Sequence, residues 1–105
     1  MNFQIVYPKD IDRLQRNSRV KIIDIRDQES FEEGHLPNAY NIPQDVTEDY
    51  EAILPKNGAY VLVCEHGGSS MQLARELGIK GYMVATVVGG YEGIRKYQKK
   101  VVENN

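Results

Sequence analysis

Tyr60-Val61-Leu62-Val63-Cys64-Glu65-His66-Gly67-Gly68-Ser69-Ser70-Met71-Gln72 decides how the rest of the sequence is read. Tyr60 to Cys64 is apolar on both alternating faces, the pattern of a strand covered on both sides. A loop with two glycines follows, and Ser69 with Gln72 three positions later matches a capping box at the start of a helix. Beyond it, Leu73, Ala74 and Leu77 share one helical face, and Gly78 suits a C-terminal cap. A buried strand passing through a tight loop into a capped helix is the basic unit of a parallel α/β sheet.

The same alternation extends in both directions. Val20 to Ile25, Tyr40 to Ile42 and Met83 to Val88 read as further strands, with Phe3 to Val6 as an edge strand. Helices are expected from Ile11 to Gln15 with Asp10 as cap, and from Glu29 to Glu33 with Gly34 as its stop. Another should follow Thr47 as cap and run through Ile53, and a last one should run from about Tyr91 to Lys99. The polar tail, residues 99–105, is expected to fray. With 105 residues, the expectation is one α/β domain over residues 1–105, with a mainly parallel sheet.

Composition excludes several classes of function. Thirteen Lys+Arg against fifteen Asp+Glu leave no basic excess for nucleic acid. One cysteine excludes an internal disulfide framework, and Cys64, His66 and His35 are too dispersed for a dense metal motif. The start, Met1 to Pro8, lacks the pattern of a secretory signal, and no apolar run reaches membrane-spanning length. A free thiol points to a reducing compartment, so a cytoplasmic location is expected.

In open parallel sheets ligands bind beyond the carboxyl ends of the strands, which is where Cys64 falls. Gly67 and Gly68 can take positive φ and turn successive N–H groups inward as an anion nest. The helix N-terminus adds unpaired amides and partial positive charge, so the location favours a thiolate over a thiol. The competing reading makes Cys64 a small hydrophobe at the end of a core strand.

These residues resemble those of the rhodanese family of single-domain sulfurtransferases. Asp24-Ile25-Arg26 followed by Phe31, then Gly34-His35-Leu36-Pro37-Asn38-Ala39 and Asn41-Ile42-Pro43, is similar to the family's N-terminal signature. Cys64 to Ser70 falls at its active-site loop, and Val87-Val88-Gly89-Gly90-Tyr91 resembles its closing motif. The resemblance implies a five-stranded parallel sheet flanked by helices on both faces. It also implies that Cys64 takes sulfane sulfur from thiosulfate or a persulfide and yields it to cyanide, a thiol or a protein acceptor, without cofactor or metal. Glu65, His66, Gly67, Gly68, Ser69 and Ser70 would supply the backbone cradle, with Asp24, Arg26 and Tyr91 in support.

The loop departs from the resemblance in one respect. Where many members carry Arg directly after the cysteine and again late in the loop, this chain has Glu65 and Ser69. Losing a cationic partner near a surface costs ~1–4 kcal/mol, so weak thiosulfate activity is expected. His66 restores charge only when protonated, and an imidazole is mostly neutral at pH 7. A catalytically quiet module that binds a protein partner stays open as the alternative. A phosphatase or arsenate reductase is disfavoured, because such a loop needs Arg where Ser70 stands. Ile94 stands near a position where Trp is common. Gly34-His35 reads as a turn fixed by a side-chain hydrogen bond, and Arg95-Lys96 with Lys99-Lys100 as a solvated helix face.

Overall fold

The structure, a computed structural model, describes residues 2–104. Five strands form one sheet in the order β1-β5-β4-β2-β3. These are β1 (Gln4–Val6), β2 (Val20–Asp24), β3 (Tyr40–Asn41), β4 (Ala59–Val63) and β5 (Met83–Val87). Every neighbouring pair is parallel, so the sheet is parallel throughout and not only mainly. The helices are α1 (Ile11–Gln15), α2 (Gln28–Glu33), α3 (Gly68–Ile79) and α4 (Gly90–Glu103).

Alternation along the strands splits the core in two. Ile23, Tyr60, Leu62, Cys64 and Val84 face one side, where Leu73, Ala74 and Leu77 of α3 cover them with Tyr50 and Leu54. Ile22, Val61, Val63, Ala85 and Val87 face the other, against Ile11 and Leu14 of α1 and Ile94 of α4. Ile94 is fully buried, so the aliphatic residue at this position is itself a core group.

Strand ends differ from the expected ones by a residue, because the ladder fades and does not stop. Ile25 N–H still bonds Val63 O at 2.9 Å, Ile42 N–H bonds Asp24 O at 2.9 Å, and Val88 N–H bonds Val6 O at 2.9 Å. Several caps lie elsewhere than expected. Asp10 stands at the N-cap of α1 as expected, but its carboxylate makes no capping bond there and instead accepts from Tyr7 N–H at 2.9 Å across the 3-10 turn Pro8–Asp10. Asp27 caps α2, accepting from Ser30 N–H at 2.7 Å, so that helix starts at Gln28. Between β3 and β4, Asp49 and not Thr47 caps a single 3-10 turn, Tyr50–Ala52, and Thr47 Oγ1 accepts from Asp49 N–H at 3.2 Å.

Gly78 lies inside α3, where a Cβ would overlap the Asn2 backbone, and the positive-φ residue after that helix is Gly81. The last helix passes Lys99 and continues to Glu103; Asn105 lies outside the described residues. Among the described residues, no helix is long and apolar enough to cross a membrane.

Candidate active site

The carboxyl ends of β2, β4 and β5 converge on one end of the sheet, and Cys64 follows the central strand there. It is 6% exposed. Its Sγ accepts from the N–H of Gly67 at 3.1 Å and of Ser70 at 3.3 Å. Gly67 makes this possible with φ +103°, turning its amide back toward the sulfur while capping α3. The helix therefore begins at Gly68. Ser69 is already helical and exposed and does not act as the cap, and Gly68 needs no positive φ. Of the six loop residues, only Gly67 and Ser70 bring amides to the sulfur; Gly68 and Ser69 keep the unpaired first-turn amides of the helix.

Below the sulfur lies a fully buried pair of hydroxyls. Ser70 Oγ is 3.3 Å from Cys64 Sγ, 3.3 Å from Gly67 O and 2.7 Å from Thr86 Oγ1 on β5. The loop is closed from above by α4. Tyr91 N–H donates to Cys64 O at 2.8 Å and Glu92 N–H to Glu65 O at 3.1 Å. Gly90, at φ +62°, permits this approach, since a Cβ there would overlap the Cys64 carbonyl and lie 2.7 Å from Glu65 C.

The side wall consists of charged groups. Asp24, at the end of β2, points into the interior and is 1% exposed. Arg26 answers it with Nε at 3.0 and 3.1 Å from the two carboxylate oxygens and Nη2 at 2.8 Å from Oδ2. Nη2 also donates to Gly34 O at 2.7 Å, and Nη1 to Glu65 Oε2 at 3.3 Å. Tyr91 covers one guanidinium face at 4.0 Å. Asn41 Nδ2 ties down the segment by donating to Asp24 O and Arg26 O at 3.0 and 2.9 Å. Burial opposes the Arg26 charge, but the hydrogen bonds and Coulomb attraction of Asp24, then Glu65, outweigh it and raise its pKa above the ordinary guanidinium value. Glu65 thus turns inward onto Arg26, and a single Nη1–H is left for anything else.

These elements surround a cleft of about 700 Å3 with Cys64, Glu65, Ser69, Arg26 and Tyr91 in its lining. His66 is not among the lining residues. Its exposed ring pairs with Glu92 on α4, Nδ1 to Oε2 at 2.5 Å. Glu92 in turn has its pKa lowered, first by the Lys96 hydrogen bond and charge and then by His66. His35 holds its turn as expected, Nδ1 lying 2.6 Å from Phe31 O with the ring stacked on Phe31. Among the described residues, no group of three His, Cys, Asp or Glu side chains is gathered to hold a metal ion.

Sequence reasoning missed Arg95, Asp27 and Glu33, all of which line the cleft. Arg95 is exposed, as its place on a solvated helix face predicts, and it also lies one helical turn after Tyr91; that i, i+4 spacing is the signal that brings it to the cleft.

Residues 7–97 match the family model described as the rhodanese-like domain. Thiosulfate sulfurtransferase GlpE of Coxiella burnetii is 32% identical over 80 residues, spanning 75% of each chain. GlpE of Pseudomonas aeruginosa is 32% identical over 91 residues, spanning 86% of this chain and 82% of its own. Among solved structures, reduced CoADR-RHD of Bacillus anthracis superposes with a TM-score of 0.83 at 27% identity, covering 94% of this chain and 18% of that one. Sequence signature, parallel sheet and cysteine loop agree with these likenesses: the chain belongs to the rhodanese-like domain family.

Proposed function

We propose that this chain is a sulfurtransferase that carries sulfane sulfur as a persulfide on Cys64. The observation that carries the reading is the pair of backbone amides, from Gly67 and Ser70, aimed at Sγ on the floor of an open polar cleft. Amide donors fixed by the fold stabilise a sulfur anion without reorganising during the reaction. The GlpE relatives are named as thiosulfate sulfurtransferases, which supports the same chemistry here.

The Cys64 thiolate attacks the sulfane sulfur of the donor, forming an Sγ–S bond while the donor's S–S bond breaks. The leaving group departs with the electron pair, as sulfite from thiosulfate or as a thiolate from an organic persulfide. Before the attack, while the thiolate charge sits on Sγ, the Ser70 hydroxyl can turn from Gly67 O and donate to Sγ, held from behind by Thr86. A thiolate acceptor then attacks the outer sulfur and Cys64 returns to its starting state. These 105 residues hold no second cysteine, so none of them can take the sulfur on as a thiol. These steps require no metal or cofactor.

Glu65 shapes which donor suits the cleft. Thiosulfate carries its charge beside the reacting sulfur, where it meets the Glu65 carboxylate and an Arg26 already engaged. An organic persulfide carries no sulfonate beside the reacting sulfur and can donate as the neutral R–S–SH, so it is the better donor. Ser70 replaces the guanidinium that a phosphatase or arsenate reductase loop would use, and its hydroxyl is fully buried below the sulfur. The Glu65–Arg26 pair beside the sulfur also favours, as a second reading, a catalytically quiet module that binds a protein partner.

Intact mass after incubation with thiosulfate or a small persulfide tests the proposal, with Cys64→Ser alongside. One added sulfur atom, removed by cyanide or a thiol and absent from Cys64→Ser, is expected. Failure to gain sulfur from either donor would leave the partner-binding reading.

A further inference from the structure

The cleft holds two arginines in unlike states. Arg26 is buried and spent on Asp24, Gly34 and Glu65. Arg95, on α4, lines the same cleft, and among the described residues it has no ion-pair partner. Its guanidinium carbon stands 5.9 Å from the centre of the Tyr91 ring, the ring that Arg26 stacks on at 4.0 Å. The uncommitted cation of the cleft is an exposed residue that stands farther from the Tyr91 ring than Arg26 does, while a carboxylate, Glu65, lies next to the sulfur in the chain. Asp27 and Glu33 line the cleft as well, so Arg95 is the one place in it where an anion meets an unneutralised positive charge.

We infer that Arg95 is the anchor for a carboxylate carried at a distance from the reacting sulfur, and that the donor is an organic persulfide bearing such a group. Charge position is what separates this class from thiosulfate. In thiosulfate the sulfonate oxygens are two bonds from the sulfane sulfur and fall against Glu65. In a carboxylated alkyl persulfide several bonds separate the carboxylate from the sulfur, so the sulfur reaches Cys64 while the charge lies by Arg95. The cleft, at about 700 Å3, has room for such a chain. The transfer balances as Cys64–S⁻ + R–S–SH → Cys64–S–SH + R–S⁻, with one S–S bond made and one broken. The carboxylate takes no part in that step. It raises occupancy through a charge-assisted hydrogen bond with the guanidinium.

This inference rests on the sulfurtransferase reading for its substrate, but its test has a readout independent of sulfur. Cys64 is alkylated with N-iodoacetylglycine and, separately, with its neutral amide, in the wild type and in Arg95→Gln. The two reagents share a reacting group and differ in a distal carboxylate. The wild type should prefer the carboxylate by roughly fivefold, the range of a partly exposed ion pair, and Arg95→Gln should bring the ratio to about one. The preference should also shrink as salt is raised. The matching sulfur experiment compares kcat/KM for the persulfides of 3-mercaptopropionate and 2-mercaptoethanol, where the same ratio should collapse in Arg95→Gln.

A wild type with no preference in either pair, or a preference that survives Arg95→Gln, overturns the anchor. A preference in alkylation without any sulfur uptake upholds the anchor and overturns the sulfurtransferase reading instead.

Discussion

The floor and the wall of the Cys64 cleft both bury polar groups, and they do so by different means. On the floor, the sulfur is held by main-chain amides of Gly67 and Ser70, with a neutral hydroxyl pair beneath. On the wall, Asp24, Arg26 and Glu65 hold one another as charges. A cradle of amides depends on backbone shape, so most loop side chains can change without removing it. A wall of ion pairs depends on side-chain identity, and one substitution redirects the charge that a donor meets. On the sulfurtransferase reading proposed above, sulfur capture would reside in the floor and the choice of donor in the wall.

The strongest way to break the wall is to remove its innermost charge. Asp24→Ala leaves the Arg26 guanidinium, with a side chain 6% exposed, facing an apolar gap. Breaking a buried pair in this way costs about 3–5 kcal/mol, a large part of the stability of a domain this size. Urea unfolding should show the midpoint falling sharply. A midpoint close to that of the wild type would mean that Glu65 and Gly34 suffice to hold Arg26.

Glu65→Gln sharpens the comparison by altering the wall and sparing the fold. The Glu65 carboxylate is half exposed, so little stability should be lost. Removing its charge releases Arg26 Nη1 and takes a negative group away from the sulfur. Thiosulfate kcat/KM should rise about tenfold, an effect of ~1.4 kcal/mol, while a neutral persulfide changes much less. Equal gains for both donors would show that Glu65 acts on loop geometry and not on donor charge.

The contrast between floor and wall also explains what was legible in the sequence. The strands were legible because burial on both faces gives continuous apolar runs such as Tyr60 to Cys64. Cys64 stood out because a lone thiol between a buried strand and a glycine loop has few places to go. A carboxylate inside an apolar run needs a partner, but whether Arg26 or loop amides supply it is not written in the sequence; the structure gives the Arg26 guanidinium. Caps were less legible. Ser69 fits the capping pattern, yet the chain turns earlier, at Gly67, and Cys64 Sγ accepts from Ser70 N–H, the third-position amide that a side chain at the cap would otherwise serve. Arg95 escaped notice because a cation near the start of an exposed helix looks the same whether it faces solvent or a cleft. Only the packing of α4 over the Cys64 loop, through Tyr91 and Glu92, decides between the two.

Thr86→Val makes the smallest change and acts on the floor. Thr86 reaches Ser70 at 2.7 Å and does not bond the sulfur, so it is a positioning residue. Valine fills nearly the same volume on the strand and removes only the hydroxyl. Ser70 can then satisfy its proton with Gly67 O at 3.3 Å, and it loses the partner that frees that proton to turn toward Sγ. The two amides stay in place, so the cradle persists, with the Ser70 hydroxyl as a less well positioned third donor when the sulfur is charged. Alkylation of Cys64 by iodoacetamide at neutral pH should therefore slow about threefold, the worth of one weakened hydrogen bond. Ser70→Ala should slow it somewhat further. A rate unchanged in both variants would assign the whole anion-holding capacity of the floor to the backbone, and the division between a backbone floor and a side-chain wall would then be complete.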